Sequence, residues 1–221
     1  MSAVILDGSV MSEVLRKEIT GNVESLKMAG IVPGLAVILV GNDPASAIYV
    51  RNKEKACREV GIYSETVTLP KETTQQALEA EIDRLTNDPH IHGILVQLPL
   101  PSHLDETSAL MRIPPEKDVD GFHFLNTGKL MSGKPDVIPC TPRGALYMIR
   151  QTGLCLSGLE AVVVGRSNIV VKPMAALLLS ENCTVTICHS RTKNLAEHTR
   201  KAEILVSAVG KPGFKIGRAH V

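Results

Sequence analysis

The sequence predicts an α/β fold, with parallel strands wrapped by helices, and three observations carry the prediction. Short apolar runs alternate with amphipathic stretches along the chain, the pattern of repeated strand–helix units. The run Leu35-Ala-Val-Ile-Leu-Val40 is apolar at every position, as expected of a strand covered on both faces. The 221 residues suffice for one large or two modest domains with real cores.

Taken in order, strands are expected at 35–40, 63–69, 93–98, 161–165, 184–188 and 204–209, with helices filling the gaps. Asp43 suits an N-cap with Pro44 at the first helical position, because the ring presets φ and its missing N–H is no loss there. Thr73 or Thr74 similarly caps a helix running through Leu85. Over 112–142 the texture changes. Pro114, Pro115, Pro135, Pro139 and Pro142, with Gly121, Gly128 and Gly133, predict a long irregular connection, and such loops are functional or linkers. The domain boundary is placed near Cys140, giving domains 1–140 and 141–214, the second entered by a helix over 141–151.

Composition narrows the classes of function. A formal net charge of +1 gives no global bias toward nucleic acid or an acidic surface, and 3% aromatic residues with no Trp argue against a base-stacking platform. The N-terminus lacks both a basic leader segment and a long apolar run, so neither signal peptide nor membrane span is expected and the location is read as cytoplasmic. Five scattered cysteines fit free thiols in a reducing compartment. Cys183, Cys188 and His189 invite a metal reading. Cys183 and Cys188, five apart, point to opposite faces of a strand, so no metal is assigned.

Two places concentrate chemistry. Tyr49 and Lys53 are four apart and share one helix face, Gln97 closes the apolar run at 93–98, and Asp120 sits in the turn-rich Lys117-Asp-Val-Asp-Gly121. A ring, an amine, a carboxamide and a carboxylate suit a planar polar heterocycle such as a pterin. The second place is Ala161-Val-Val-Val-Gly165-Arg166-Ser167-Asn168-Ile169-Val170-Val171-Lys172-Pro173, a strand, a tight loop and a helix start, where backbone N–H groups can hold a pyrophosphate. An NAD site usually has a carboxylate at the end of the next strand. Here that strand ends His189-Ser190-Arg191-Thr192, and Arg166, Ser190 and Arg191 can instead donate to a 2′-phosphate, which favours NADP.

Singly, each of these residues has a plainer reading: Tyr49 at a core edge, Lys53 solvated, Gln97 satisfying backbone, Asp120 stabilising its own turn. Their order along the chain reverses that reading. With Ser46-Ala-Ile-Tyr49-Val-Arg-Asn-Lys53, Gly93-Ile-Leu-Val-Gln97-Leu-Pro-Leu-Pro101, Pro115-Glu-Lys-Asp118-Val-Asp120-Gly121, Pro139-Cys-Thr-Pro142, Val164-Gly-Arg-Ser-Asn-Ile-Val170 and Cys188-His-Ser-Arg-Thr192, the chain resembles the bifunctional methylenetetrahydrofolate dehydrogenase/methenyltetrahydrofolate cyclohydrolase family.

The resemblance implies an N-terminal α/β folate domain and an incomplete Rossmann-like NADP-binding domain flanking a cleft, and a homodimer when intact. It implies a folate substrate, with Lys53 as principal catalytic residue, Tyr49 stacked on the substrate, Gln97 orienting the amine and Asp120 accepting from pterin N–H groups. Gly165, Arg166, Ser167 and Ser190 would contact NADP. A free lysine titrates at about 10.4 and a useful base near 7–8, so the site would have to disfavour the ammonium by roughly 3–5 kcal/mol. A short-chain dehydrogenase also pairs Tyr with Lys at this spacing, but there the nucleotide loop precedes the tyrosine; here Tyr49 comes before Gly165.

Two departures from the family pattern stand out. Val171 replaces a glycine, and its β-branched side chain is expected to crowd the helix start or the cofactor. The family pattern also continues beyond Phe214, whereas Lys215-Ile-Gly-Arg-Ala-His-Val221 leaves it. From Ile216 that tail back-translates as a sequencing-adapter oligonucleotide, so 215–221 is expected to be non-native. The alternative function is then a non-catalytic folate- or nucleotide-binding fragment of the same enzyme.

Overall fold

The computed structural model describes residues 4–210, so the expectation for 215–221 lies outside the described residues. The described residues divide into two compact units, one spanning Gly8–Leu125 and the other taking 126–210 with 4–7.

The first unit contains α1 (Gly8–Met28), β1 (Gly34–Val40), α2 (Pro44–Val60), β2 (Tyr63–Leu69), α3 (Gln75–Asn87), β3 (Gly93–Val96) and α4 (Glu106–Arg112). Its strands are all parallel, in the order β2-β1-β3, with Leu35 beside Ser64 on one side and Gly93 on the other. The apolar run of β1 behaves as its sequence predicts. Ala36, Ile38 and Val40 enter one core cluster with Leu78, Ile82 and Leu85, while Val37 and Leu39 enter a second with Val50 and Leu95. Alternation of side chains across the strand makes both faces apolar, and each fully buried Ile or Leu contributes roughly 1.5–3 kcal/mol.

Local chemistry sets the helix starts. The Asp43 carboxylate accepts from Ser46 N at 2.8 Å with Pro44 opening α2, and Thr74 rather than Thr73 caps α3, accepting from Ala77 N at 3.2 Å. Thr73 instead turns its hydroxyl to Pro70 O. Gly61, at φ 83°, ends α2 in the left-handed conformation.

After these come α5 (Phe124–Met131), α6 (Cys140–Arg150), β4 (Glu160–Val164), α7 (Val171–Ser180), β5 (Thr184–Cys188), α8 (Leu195–Arg200) and β6 (Ile204–Ser207). The order β5-β4-β6 is again parallel throughout. Ala161 and Val163 join one cluster with Met174 and Leu178, and Val162 and Val164 join another with Cys188. Cys183 lies in the former cluster, so the two thiols belong to different packed faces; its Sγ donates to Leu156 O.

The connection over 112–142 is less irregular than its prolines and glycines predict. It holds α5, which buries Asn126 and Leu130. Its apolar residues, Phe124, Leu125, Leu130 and Met131, sit in pairs at its two ends around Asn-Thr-Gly-Lys, so periodicity gives little signal for so short a helix.

In both sheets the first strand lies centrally and the next two add on opposite sides. The chain therefore reverses its direction of travel between β1 and β3, and again between β4 and β6. A crevice opens at the carboxyl ends of strands at such a reversal, where ligands of open α/β sheets are held.

Candidate active site

In the first unit the catalytic candidates gather at the β1/β3 reversal. β3 stops at Val96, so Gln97 stands just past the strand, its N–H still bonded to Ile38 O at 2.8 Å. The carboxamide is fixed at both ends. Its Nε2 donates to Leu98 O at 2.8 Å, which leaves Oε1 to accept from Lys53 Nζ at 2.9 Å. The helix carries Lys53 to this point because Asp43 and Pro44 set where α2 begins. Tyr49, one turn earlier, keeps 62% of its surface exposed, a ring open to a ligand.

Asp120 belongs to a turn stitched to the start of β3. Asp118 bridges to Ile94, and its buried carboxylate accepts from Gly121 N at 3.0 Å and His123 N at 2.8 Å. Gly121, at φ 69°, allows the turn. Gly93 is required as well, since a Cβ there would lie 2.3 Å from Val119 Cγ1. Lys117 anchors the other side, its ammonium donating to Thr86 O at 2.8 Å and Asp88 O at 3.1 Å at the end of α3.

Turn-holding thus falls to Asp118, which sequence reasoning passed over. The Asp-x-x-Gly spacing of an Asx-type turn carried that signal. Asp120 makes no side-chain hydrogen bond among the described residues. Burial pushes its carboxyl up to about 6; Lys53 opposes the shift and the Asp118 charge adds to it.

In the second unit the expected cofactor residues form the β4 exit. Gly165, at φ 136°, admits no side chain, because a Cβ would sit 2.7 Å from both Ala208 O and Val171 Cγ2. Gly165 N bonds to Cys188 O at 2.7 Å and Ala208 N to Val164 O at 2.9 Å, so the loop is held against both neighbouring strand ends. Ser167 turns its hydroxyl into α7, accepting from Val171 N at 3.2 Å, while Val170 at the N-cap provides no side-chain cap. The first N–H groups of α7 are already taken, Val171 N by Ser167 Oγ, Lys172 N by Ser167 O at 3.1 Å and Met174 N by Val170 O at 2.9 Å, and Pro173 has none. What fits a dinucleotide pyrophosphate is the close approach to the loop backbone that a glycine without room for a Cβ permits.

The adjacent β5 exit is a tight turn in which His189 N donates to Thr192 Oγ1 and Arg191 N to His189 Nδ1. Arg166, Ser190 and Arg191 are exposed, and neither guanidinium forms an ion pair among the described residues. Val171 lies against the helix start, one of the two places its side chain is expected to crowd. Its side chain is 0% exposed and packs inward in the cluster with Met174 and Leu178, so it presses on Gly165 rather than projecting from the loop.

A glycine cradle at one sheet reversal, and an amine, carboxamide and carboxylate at the other, define a dinucleotide-linked α/β enzyme that also moves protons. Residues 6–120 match the family model described as tetrahydrofolate dehydrogenase/cyclohydrolase, catalytic domain, and residues 139–219 match the corresponding NAD(P)-binding domain. The chain belongs to the tetrahydrofolate dehydrogenase/cyclohydrolase family. It is 55% identical to the bifunctional protein FolD of Halalkalibacterium halodurans over 221 residues, 100% of this chain and 79% of that one. Against the FolD of Bacillus cereus the identity is 54% over 212 residues, 96% of this chain and 74% of that one.

Among solved structures, the FolD methylenetetrahydrofolate dehydrogenase/cyclohydrolase of Campylobacter jejuni superposes with a TM-score of 0.93 at 44% identity, covering 95% of this chain and 74% of that one. The Trypanosoma brucei enzyme, solved with NADP cofactor and inhibitor, gives 0.92 at 40% identity, covering 96% and 74%.

Proposed function

We propose that this chain oxidises 5,10-methylenetetrahydrofolate to 5,10-methenyltetrahydrofolate with NADP and hydrolyses the product to 10-formyltetrahydrofolate. The observation that carries the reading is the Lys53 Nζ–Gln97 Oε1 hydrogen bond, made beside the half-buried Asp120 carboxylate at a sheet reversal. Family membership and the likeness to the NADP-complexed T. brucei enzyme support the choice of substrate and cofactor.

NADP, when bound, accepts the hydride that leaves the methylene carbon; Gly165 and Ser167 would hold its pyrophosphate at α7, and Arg166, Ser190 and Arg191 its 2′-phosphate. In the first unit, Asp120 as carboxylate accepts from the pterin N–H groups and Tyr49 covers the ring. Positioning and exclusion of water supply most of what this step needs. The second step consumes one water. Lys53 as free amine takes a proton as the water oxygen bonds to the methenyl carbon, and its ammonium returns a proton to N5 as the C–N5 bond breaks. One proton is released overall, balancing the cation consumed. Gln97 Oε1 holds the amine on the reacting side throughout.

The same reading carries a homodimer, which the family resemblance implies, and a cytoplasmic location, which five free cysteines favour. NADPH formation from methylenetetrahydrofolate, followed spectrophotometrically, tests the dehydrogenase. Lys53→Met is expected to abolish cyclohydrolase turnover; substantial retained turnover would remove Lys53 from the role. A folate- or NADP-induced melting shift without turnover would point to the non-catalytic fragment instead.

A further inference from the structure

We propose that His189 is a positioning residue for NADP, its Nδ1 lone pair holding the backbone turn that offers Ser190 and Arg191 to the 2′-phosphate; this rests on the NADP reading above. His189 is the first residue past β5, where an NAD site carries the carboxylate that accepts from the ribose hydroxyls. Its imidazole is turned back into its own loop instead. Arg191 N donates to Nδ1 at 3.1 Å. Two further bonds close the turn, from His189 N to Thr192 Oγ1 at 2.8 Å and from Thr192 N to His189 O at 2.9 Å. The Thr192 hydroxyl also meets the thiol of the fully buried Cys188, so the turn is fastened to a packed strand end.

The bond from Arg191 fixes the state of the ring. A nitrogen that accepts carries no proton, so the neutral imidazole is protonated at Nε2. A side-chain acceptor bonded to the N–H two residues on is the device by which Asn and Asp hold turns. The ring therefore does the structural task of an aspartate without bringing a negative charge to the β5 exit.

That difference decides which cofactor the turn suits. A carboxylate at this position would repel a 2′-phosphate, and so would an outward-facing lone pair. With Nδ1 occupied from within the loop, the side-chain groups left on the 189–191 stretch are donors: the Ser190 hydroxyl, the Arg191 guanidinium and the His189 Nε2–H. Neither Ser190 Oγ nor His189 Nε2 has a hydrogen-bond partner among the described residues. Arg166 joins them from the neighbouring loop, because the bond from Gly165 N to Cys188 O at 2.7 Å holds the β4 exit at the end of β5. Arg166, Ser190 and Arg191 all reach solvent, so a phosphate can approach them.

The test uses where each amide side chain puts its oxygen. Asn places a carbonyl at the position of Nδ1, and Gln places one at the position of Nε2. Dissociation constants for adenosine 2′,5′-bisphosphate and adenosine 5′-phosphate are compared in the parent, His189→Asn and His189→Gln, at pH 8 where the phosphates are ionised. The parent is expected to prefer the bisphosphate by about tenfold or more. His189→Asn is expected to keep that ratio within about twofold, and His189→Gln to lower it about fivefold, the scale of one backbone hydrogen bond. A side chain that only filled space would not separate the two amides. Ratios that fall together in both variants, or in neither, would overturn the positioning role and leave the NADP reading intact. A parent ratio near one would overturn the NADP reading and the proposal with it. In 15N spectra of the parent, with the His189 signal assigned by its loss in His189→Asn, Nδ1 is expected to carry no proton. A neutral ring protonated at Nδ1 would overturn the proposal whatever the nucleotides do.

Discussion

Asp120 shows how a single side chain can serve a site at the expense of the fold. Its carboxyl is raised to about 6 by burial, against the pull of Lys53 and with the push of Asp118. An unfolded aspartate titrates near 4, so the folded state binds this proton more tightly. Any stabilisation from that tighter binding is fully present below about pH 4 and lost as pH rises through about 6. At neutral pH the ionised group therefore weighs against folding. Asp120→Asn is expected to melt above the parent at pH 7.5, by on the order of 1 kcal/mol after allowance for partial exposure, with the difference closing toward pH 4. Thermal scans at both pH values check this, and a variant that melts lower at pH 7.5 would contradict it. In the parent, KM should climb below pH 6 because a neutral carboxyl is a poorer acceptor for pterin N–H groups. The sequence pointed to Asp120 as a carboxylate in a turn, but not to its raised affinity for a proton. That property comes from burial of the turn first, is partly offset by Lys53 from a distant segment, and is added to by the Asp118 charge.

At the scale of elements, β4, its exit loop and α7 form one interlocked piece. Gly165 fits against Ala208 O on one side and Val171 Cγ2 on the other, and Ser167 fastens the first N–H of α7. Gly165→Ala would place a Cβ 2.7 Å from both neighbours at a φ of 136°, so the β6 exit or the start of α7 must move. We expect it to weaken NADP binding by at least tenfold and to cost about 2–3 kcal/mol of stability, read by NADP titration and urea unfolding. Binding within twofold of the parent would show that the cradle tolerates the shift. Most of this piece was legible in the chain. An all-apolar strand, one glycine and a helix start are local signals, and β2 and β5 fall at the bounds their β-branched runs predict. What Val171 does was not legible. Its residue type suggested crowding of the helix start or of the cofactor without choosing between them; packing turns it toward the core and against Gly165, a matter of which face of α7 the sheet covers. The prolines and glycines around α5 likewise hid a helix whose existence depends on burying Asn126 and Leu130.

Over the whole molecule, the same plan is used twice. Each unit places a parallel three-stranded sheet with its first strand at the centre, and each keeps its own apolar clusters on both faces of that strand. The candidates Gln97, Gly165, Arg166, Ser167, Ser190 and Arg191 lie past the carboxyl ends of strands, where backbone groups are freed from pairing, while Tyr49 and Lys53 are carried by α2. Because the folate candidates Tyr49, Lys53, Gln97 and Asp120 all lie in one unit and Gly165, Arg166, Ser167, Ser190 and Arg191 in the other, each ligand should stabilise chiefly the unit that binds it. Calorimetric unfolding is expected to resolve two transitions. Adenosine 2′,5′-bisphosphate should raise one and a folate analogue the other, each by about 2.7 kcal/mol at a hundredfold excess over its dissociation constant. If Arg166 and Arg191 hold the 2′-phosphate as proposed, the bisphosphate should act more strongly than adenosine 5′-phosphate. A single transition that rises equally with either ligand would mean that the two units unfold as one, and that binding energy supplied to either sheet is shared by both.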